Sequence, residues 1–162
     1  MEQQAENRSR LSGRTILLIV LDLLWLFFIF SRSLRNADQS MTESGRILAL
    51  VRKILPFMTS FLIRKLGHFT EFFILGGLLY LTGRSLREKS PQVFGFFLPA
   101  LAGLLAAVTD ECIQLGVEGR SGEVRDVLID FSGVLLALLI GSGIRRLQRK
   151  RLAHKNPEEG QT

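Results

Sequence analysis

The sequence predicts an all-α fold: an integral membrane bundle of four short transmembrane helices with an amphipathic helix on its outer face. Three observations predict it. Apolar residues fall into four blocks, Thr15–Phe30, Leu66–Thr82, Val93–Thr109 and Val127–Ile144, with charged segments between them. The runs LLIVLDLLWLFFIF and FGFFLPALAGLLAAV lack the polar stripe that each helix of a soluble bundle keeps along its solvent face. Arg or Lys flanks each block, as at helix ends held in the head-group region. The blocks lie near the lower limit for a span, roughly 17 residues. Interfacial flanks and local thinning of the bilayer make up the difference.

The chain of 162 residues is of a size for one domain. Residues 1–14 read as a polar cytoplasmic N-terminal tail, 15–145 as the transmembrane domain, and 146–162 as a basic cytoplasmic C-terminal tail. The first block follows Arg8, Arg10 and Arg14, as a signal peptide would. No small-residue cleavage site follows it, because the next residues are FSRSLRNADQ. It therefore reads as a retained helix that also targets the chain to the membrane.

The connection over 31–64 is longer than a turn requires. Within it, GRILALVRKILPFM groups Ile47, Leu48, Leu50, Val51, Ile54 and Leu55, interrupted by Arg46, Arg52 and Lys53. This pattern suits an amphipathic helix lying in the interface and ended by Pro56. A fifth span there would bury Arg52 and Lys53, at a cost of roughly 2.5–3.5 kcal/mol each. The second helix returns inward, RSLREKSPQ makes a short cytoplasmic connection, and the third and fourth helices complete the bundle. Gly95, Pro99, Gly103 and Ala107 recur every four residues, as do Gly133, Ala137 and Gly141. Such faces let helix backbones approach closely in lipid, and they would also permit a homo-oligomer.

Lys and Arg total 21 against 15 Asp and Glu, a net charge of +6 that suits contact with anionic lipid. The side bearing both termini carries the larger basic share, through Arg8, Arg10, Arg14, Arg84, Arg87, Lys89 and the tail RRLQRKRLAHK. Both termini are therefore expected on the cytoplasmic side of the membrane. Nucleic acid is not an expected partner, because the basic tail follows a hydrophobic helix directly and anchors it. Cys112 is the single cysteine, so neither an intrachain disulfide nor a thiolate metal site can form.

Alternating helices bring three sets of ionisable residues to the outer end of the bundle. They are Arg64, Lys65, His68 and Glu71; Asp110, Glu111 and Gln114; and Asp126 and Asp130. His68 and Glu71 are three apart, Asp110 and Gln114 four apart, and Asp126 and Asp130 four apart, so each pair shares a helical face. Ionisable groups at membrane depth face the bundle interior or a watery cavity. The glycine-rich GVEGRSGEVRD could fold Arg120 over them. Four uses remain open. The cluster could be a structural ion-pair network. Arg64, Lys65 and Arg120, with Gln114 and Asp126, could bind an anionic head group. His68, Glu71, Asp110, Glu111 and Asp130 could work as acids and bases on a lipid-linked substrate. His68, Glu71, Asp110 and Asp130 could hold a divalent metal. Asp22 stands apart in mid-helix, where a Ser, Thr or Arg on a neighbour would satisfy it.

At these residues the chain resembles the VanZ-like family. The matching segments are RKLGHFTEFFILGGLL at 64–79 and TDECIQLGVEGRSGEVRDVLIDFSG at 109–133. Arg64, Lys65, His68, Phe69 and Glu71 fit its first motif, and Asp110, Glu111 and Gln114 its second. Gly119, Arg120 and Gly122 fit the loop; Asp126, Asp130 and Gly133 fit the last helix. FSRSLRNADQS is a looser match, without the Ser-Ser-Gln that many members show. The resemblance implies a small multi-pass protein of the bacterial envelope. The namesake is associated with resistance to the glycopeptide teicoplanin. Two functions follow as expectations: binding of an anionic lipid-linked or cell-wall component, or intramembrane, metal-dependent hydrolysis or group transfer on one. A transporter or channel is less favoured, since no inverted repeat is evident.

Overall fold

The computed structural model describes residues 11–86, 93–120 and 122–155. The expected N-terminal tail up to residue 10, the RSLREKSPQ connection from 87 to 92 and the end of the basic tail from 156 lie outside them.

Among the described residues the regular elements are all helices: α1 (Gly13–Ser33), α2 (Ala37–Val51), α3 (Ser60–Ser85), a π-helical turn (Val93–Phe97), α4 (Leu98–Leu115) and α5 (Val124–Lys155). Each apolar block lies within one helix or, for the third, within the π turn and α4. The helices outrun the blocks because polar caps extend them. Ser12 accepts from the Thr15 amide at the start of α1, and Thr59 from the Leu62 amide at the start of α3. Pro99 has no N–H to donate to Gly95, and its ring crowds that carbonyl; the wider π turn at 93–97 relieves both. α5 runs on through RRLQRKRLAHK, whose Arg, Lys, Gln and Leu favour helix, so most of the basic tail is helical.

The amphipathic segment departs from expectation. Its helix starts at Ala37, in polar ADQSMTESG, and ends at Val51, before Arg52 and Lys53 and well before Pro56. Residues 52–58 form turns closed by bonds such as Arg52 Nε to the Met58 carbonyl, 3.0 Å. At 15 residues α2 is shorter than a span.

Three helical stretches, Gly13–Ser33, Gly95–Leu115 and Val124–Leu152, are long and apolar enough to cross a membrane. The large side chains they expose, among them Leu23, Phe27, Leu101, Leu105, Leu128 and Leu139, are the surface that lipid would cover. α3 is the hub, packing on all four other helices. Its apolarity is diluted by His68, Glu71 and its glycines, and it is not among the three.

Direction alternates along the chain. α1 lies antiparallel to α3, held by Thr15 to Ser85 (2.5 Å), Asp22 to Thr82 (2.6 Å) and the Trp25 indole to the Glu71 carbonyl (2.9 Å). α5 lies parallel to α3, with Lys65 meeting Asp126 at one end and the Tyr80 hydroxyl bonding the Gly141 carbonyl (2.8 Å) toward the other. The seam between them is tight. A Cβ on Gly133 would come within 2.5 Å of the Phe69 carbonyl, and one on Gly76 within 2.8 Å of the Val134 backbone. Phe72, Leu75, Val134 and Leu138 fill the core beside that seam, with Ala106 and Ala107 from α4. The small-residue faces are packing surfaces, as their spacing predicts.

Candidate functional site

Alternation carries the end of α1, the start of α3, the end of α4 and the start of α5 to one end of the bundle. There the expected polar residues meet. Asp110 and Asp130 are 0% and 1% exposed, and His68 Nδ1 stands 3.8 Å from an oxygen of each. Asp110 is held on both oxygens: Ser33 Oγ donates to Oδ1 (2.5 Å) and Gln114 Nε2 to Oδ2 (2.7 Å). Among the described residues nothing donates a hydrogen bond to either oxygen of Asp130. One ligand atom from each of His68, Asp110 and Asp130 lies within 4.8 Å of the others.

Glu71 is not the partner of His68 that spacing suggested. Residues three apart on a helix diverge by about 60° and by one turn in depth. Glu71 turns toward α1, where Arg32 Nε meets it at 2.9 Å, while His68 faces α4 and α5. Asp126 and Asp130 part in the same way. Asp126 pairs with Lys65, and Asp130 faces His68. Glu111 serves the loop: its Oε1 accepts the Glu123 amide (2.5 Å), which ties the start of α5 to the end of α4. It is not part of the His68 group.

The loop brings Arg120 inward, as its glycines suggested, and Gly119 makes the turn with φ 76°. Arg120 lines two small cavities, of about 60 and 90 Å³, and Arg64 and His68 line both as well. Arg32, Arg35, Glu43 and Glu71 also line the first, and Lys65, Gln114 and Asp126 border the second. Arg120 Nε is buried without a hydrogen-bond partner among the described residues. Burial, and then the neighbouring charge of Arg64, hold its guanidinium below the ordinary arginine range.

Sequence reasoning missed the contribution of α1 and α2. Arg32 bridges Glu71 and Glu43, Arg35 pairs with Glu43, and Ser33 holds Asp110. The signal was present in the direction of the first helix, which puts FSRSLR at the same end as the other three sets. Asp22 stays outside the site, satisfied on one oxygen by Thr82 as expected of it.

The family model of VanZ/LLP1 matches residues 18–145. The chain belongs to that family. The match runs from within α1 into α5, so VanZ/LLP1 membership takes in all four faces of the polar cluster. Neither a curated protein nor a solved structure matches the chain.

Proposed function

We propose that this VanZ-like protein is a four-span protein of the bacterial cytoplasmic membrane, with both termini cytoplasmic. Its outer-end pocket would bind an anionic group of a lipid-linked or cell-wall component, and the binding would contribute to glycopeptide resistance. α3 supplies the fourth span: 26 residues reach about 39 Å. α2 lies on the outer face, tied to α1 through Glu43.

One observation carries the binding reading. Arg64 and Arg120 face the same two cavities, and no ion pair of either lies among the described residues. Two guanidinium groups beside each other, one with a buried unpartnered Nε, call for an anion. The cavities have room for several water-sized atoms, the size of a phosphate-like group. A second reading, hydrolysis or group transfer on that component, is favoured by His68 standing between two buried carboxylates.

The test is glycopeptide susceptibility of cells expressing wild type, Arg120→Ala and His68→Ala at matched membrane levels, beside binding of purified protein to vesicles containing phosphatidylglycerol. Wild type should protect and bind, and Arg120→Ala should do neither. A His68→Ala that binds without protecting favours the chemical reading. Wild type that neither protects nor binds overturns the proposal.

A further inference from the structure

We propose that His68, Asp110 and Asp130 hold a divalent cation of the zinc or manganese type beneath the basic pocket. The site goes beyond the anion-binding reading and stands without it.

Charge placement is the first argument. Arg64 and Arg120 line the cavities that His68 borders, and neither makes an ion pair with Asp110 or Asp130 among the described residues. Arg32 serves Glu71 and Glu43, and Lys65 serves Asp126. Asp110 has neutral donors only, Ser33 and Gln114. Asp130, 1% exposed, has no hydrogen-bond donor on either oxygen and is aimed at His68 and Asp110. Two carboxylates closed off from water, without a guanidinium or ammonium on either, form a site for positive charge.

Ligand chemistry is the second. Imidazole with two carboxylates is a donor set for zinc or manganese, and three protein ligands leave a position open. Bonds of about 2.0–2.2 Å put ligand atoms roughly 3.0–4.3 Å apart. His68 Nδ1 is 3.8 Å from each carboxylate, inside that range, and all three ligand atoms lie within 4.8 Å of one another. Ser33 and Gln114 orient Asp110 as outer partners orient a ligating carboxylate. His68 Nδ1 would bind as the free nitrogen, with its proton on Nε2. His68 also borders both cavities beneath Arg64 and Arg120, so the open position would face any anion held there.

The test uses the full-length protein purified in detergent and stripped with EDTA. It is titrated with Mn²⁺ alone, followed by electron paramagnetic resonance, and with Zn²⁺ by calorimetry. Wild type should take up one ion per chain. Asp130→Asn should weaken binding at least about tenfold, while Asp22→Asn should leave it unchanged. No stoichiometric uptake by wild type overturns the proposal, and so does an Asp130→Asn that binds as wild type does. Should that variant fail to accumulate, the wild-type spectrum decides. Bound Mn²⁺ should show nitrogen coupling that survives replacement of the other histidine, His154→Ala, and its absence overturns the site. Vesicle binding retained in EDTA with no metal uptake would remove the cation and leave the anion reading standing. Metal uptake without vesicle binding would do the reverse.

Discussion

Asp22 and Asp130 are both buried carboxylates on helices of the same bundle, and they stand in opposite halves of it. Asp22 is 6% exposed and takes a 2.6 Å hydrogen bond from Thr82 on the next helix. Its half follows the same habit: Thr15 meets Ser85, and the Tyr80 hydroxyl meets the Gly141 carbonyl. One neutral neighbour answers each of these polar groups, as helices in lipid commonly do. Asp130 is more deeply buried and has no donor at all, and two further carboxylates, Asp110 and Glu111, are buried near it. The hydroxyls of one half are solved by pairing across helices, although Asp22 Oδ1 and Arg145 Nη1 are buried there without a partner. The polar groups of the other exceed what local pairing supplies. The crowding of buried carboxylates around Asp130, against single cross-helix bonds around Asp22, sets a candidate functional end against a packing end.

The largest effect expected on either side comes from the seam that joins the two halves. Gly133→Val puts methyl groups where a single Cβ already meets the Phe69 carbonyl at 2.5 Å, so α3 and α5 must move apart. Overpacking of this kind costs about 1–3 kcal/mol when side chains can yield, and backbone cannot yield. The variant should be lost from the membrane fraction or elute as aggregate. Gly77→Val, on α3 with open space at its Cβ, should accumulate normally. Equal accumulation of both would mean that the seam opens freely and that the two halves are not held in register.

Asp130→Asn separates the halves more finely. Replacing an unpartnered buried carboxylate by a neutral amide removes a desolvated charge, so in EDTA the thermal midpoint should hold or rise. Cell protection should nevertheless be lost. Gain of stability with loss of function is the signature of a site kept at the expense of packing. A lower midpoint in EDTA, with protection intact, would place Asp130 with Asp22 as a structural residue.

The difference between the halves was only partly legible in the sequence. The apolar blocks were plain, because hydropathy over a span is a sum over many residues. The ends of the helices were not: Ser12 and Thr59 extend α1 and α3 through hydrogen bonds that hydropathy does not register. The gathering of His68, Asp110 and Asp130 followed from alternation alone. The pairing inside the cluster did not, because it depends on how far each helix is rotated against its neighbours. Spacing on one helix put His68 with Glu71, whereas rotation puts His68 with Asp130 and Glu71 with Arg32. Glu43 went unread because α2 begins in polar residues with no apolar period, which disguised the segment as a connection, and Arg32 and Ser33 because α1 runs past the apolar block that ends at Phe30.

The smallest effect expected falls on the packing half. Thr82→Val keeps the shape of the side chain and removes the one donor on Asp22, whose other oxygen already lacks a partner. Interhelical hydrogen bonds in lipid contribute about 0.6 kcal/mol on average and up to about 1.7. A deficit of about 1 kcal/mol lowers the thermal midpoint by about 2–4 °C in a chain of this size. Vesicle binding and metal uptake should not change. Adding Asp22→Leu removes the orphaned carboxylate as well, and replacing both partners by apolar groups is close to neutral. The double variant should regain most of the lost midpoint and protect cells as wild type does. Recovered stability with lost protection would show that Asp22 works with the distant cluster, and the division into a packing end and a functional end would have to be redrawn along α1.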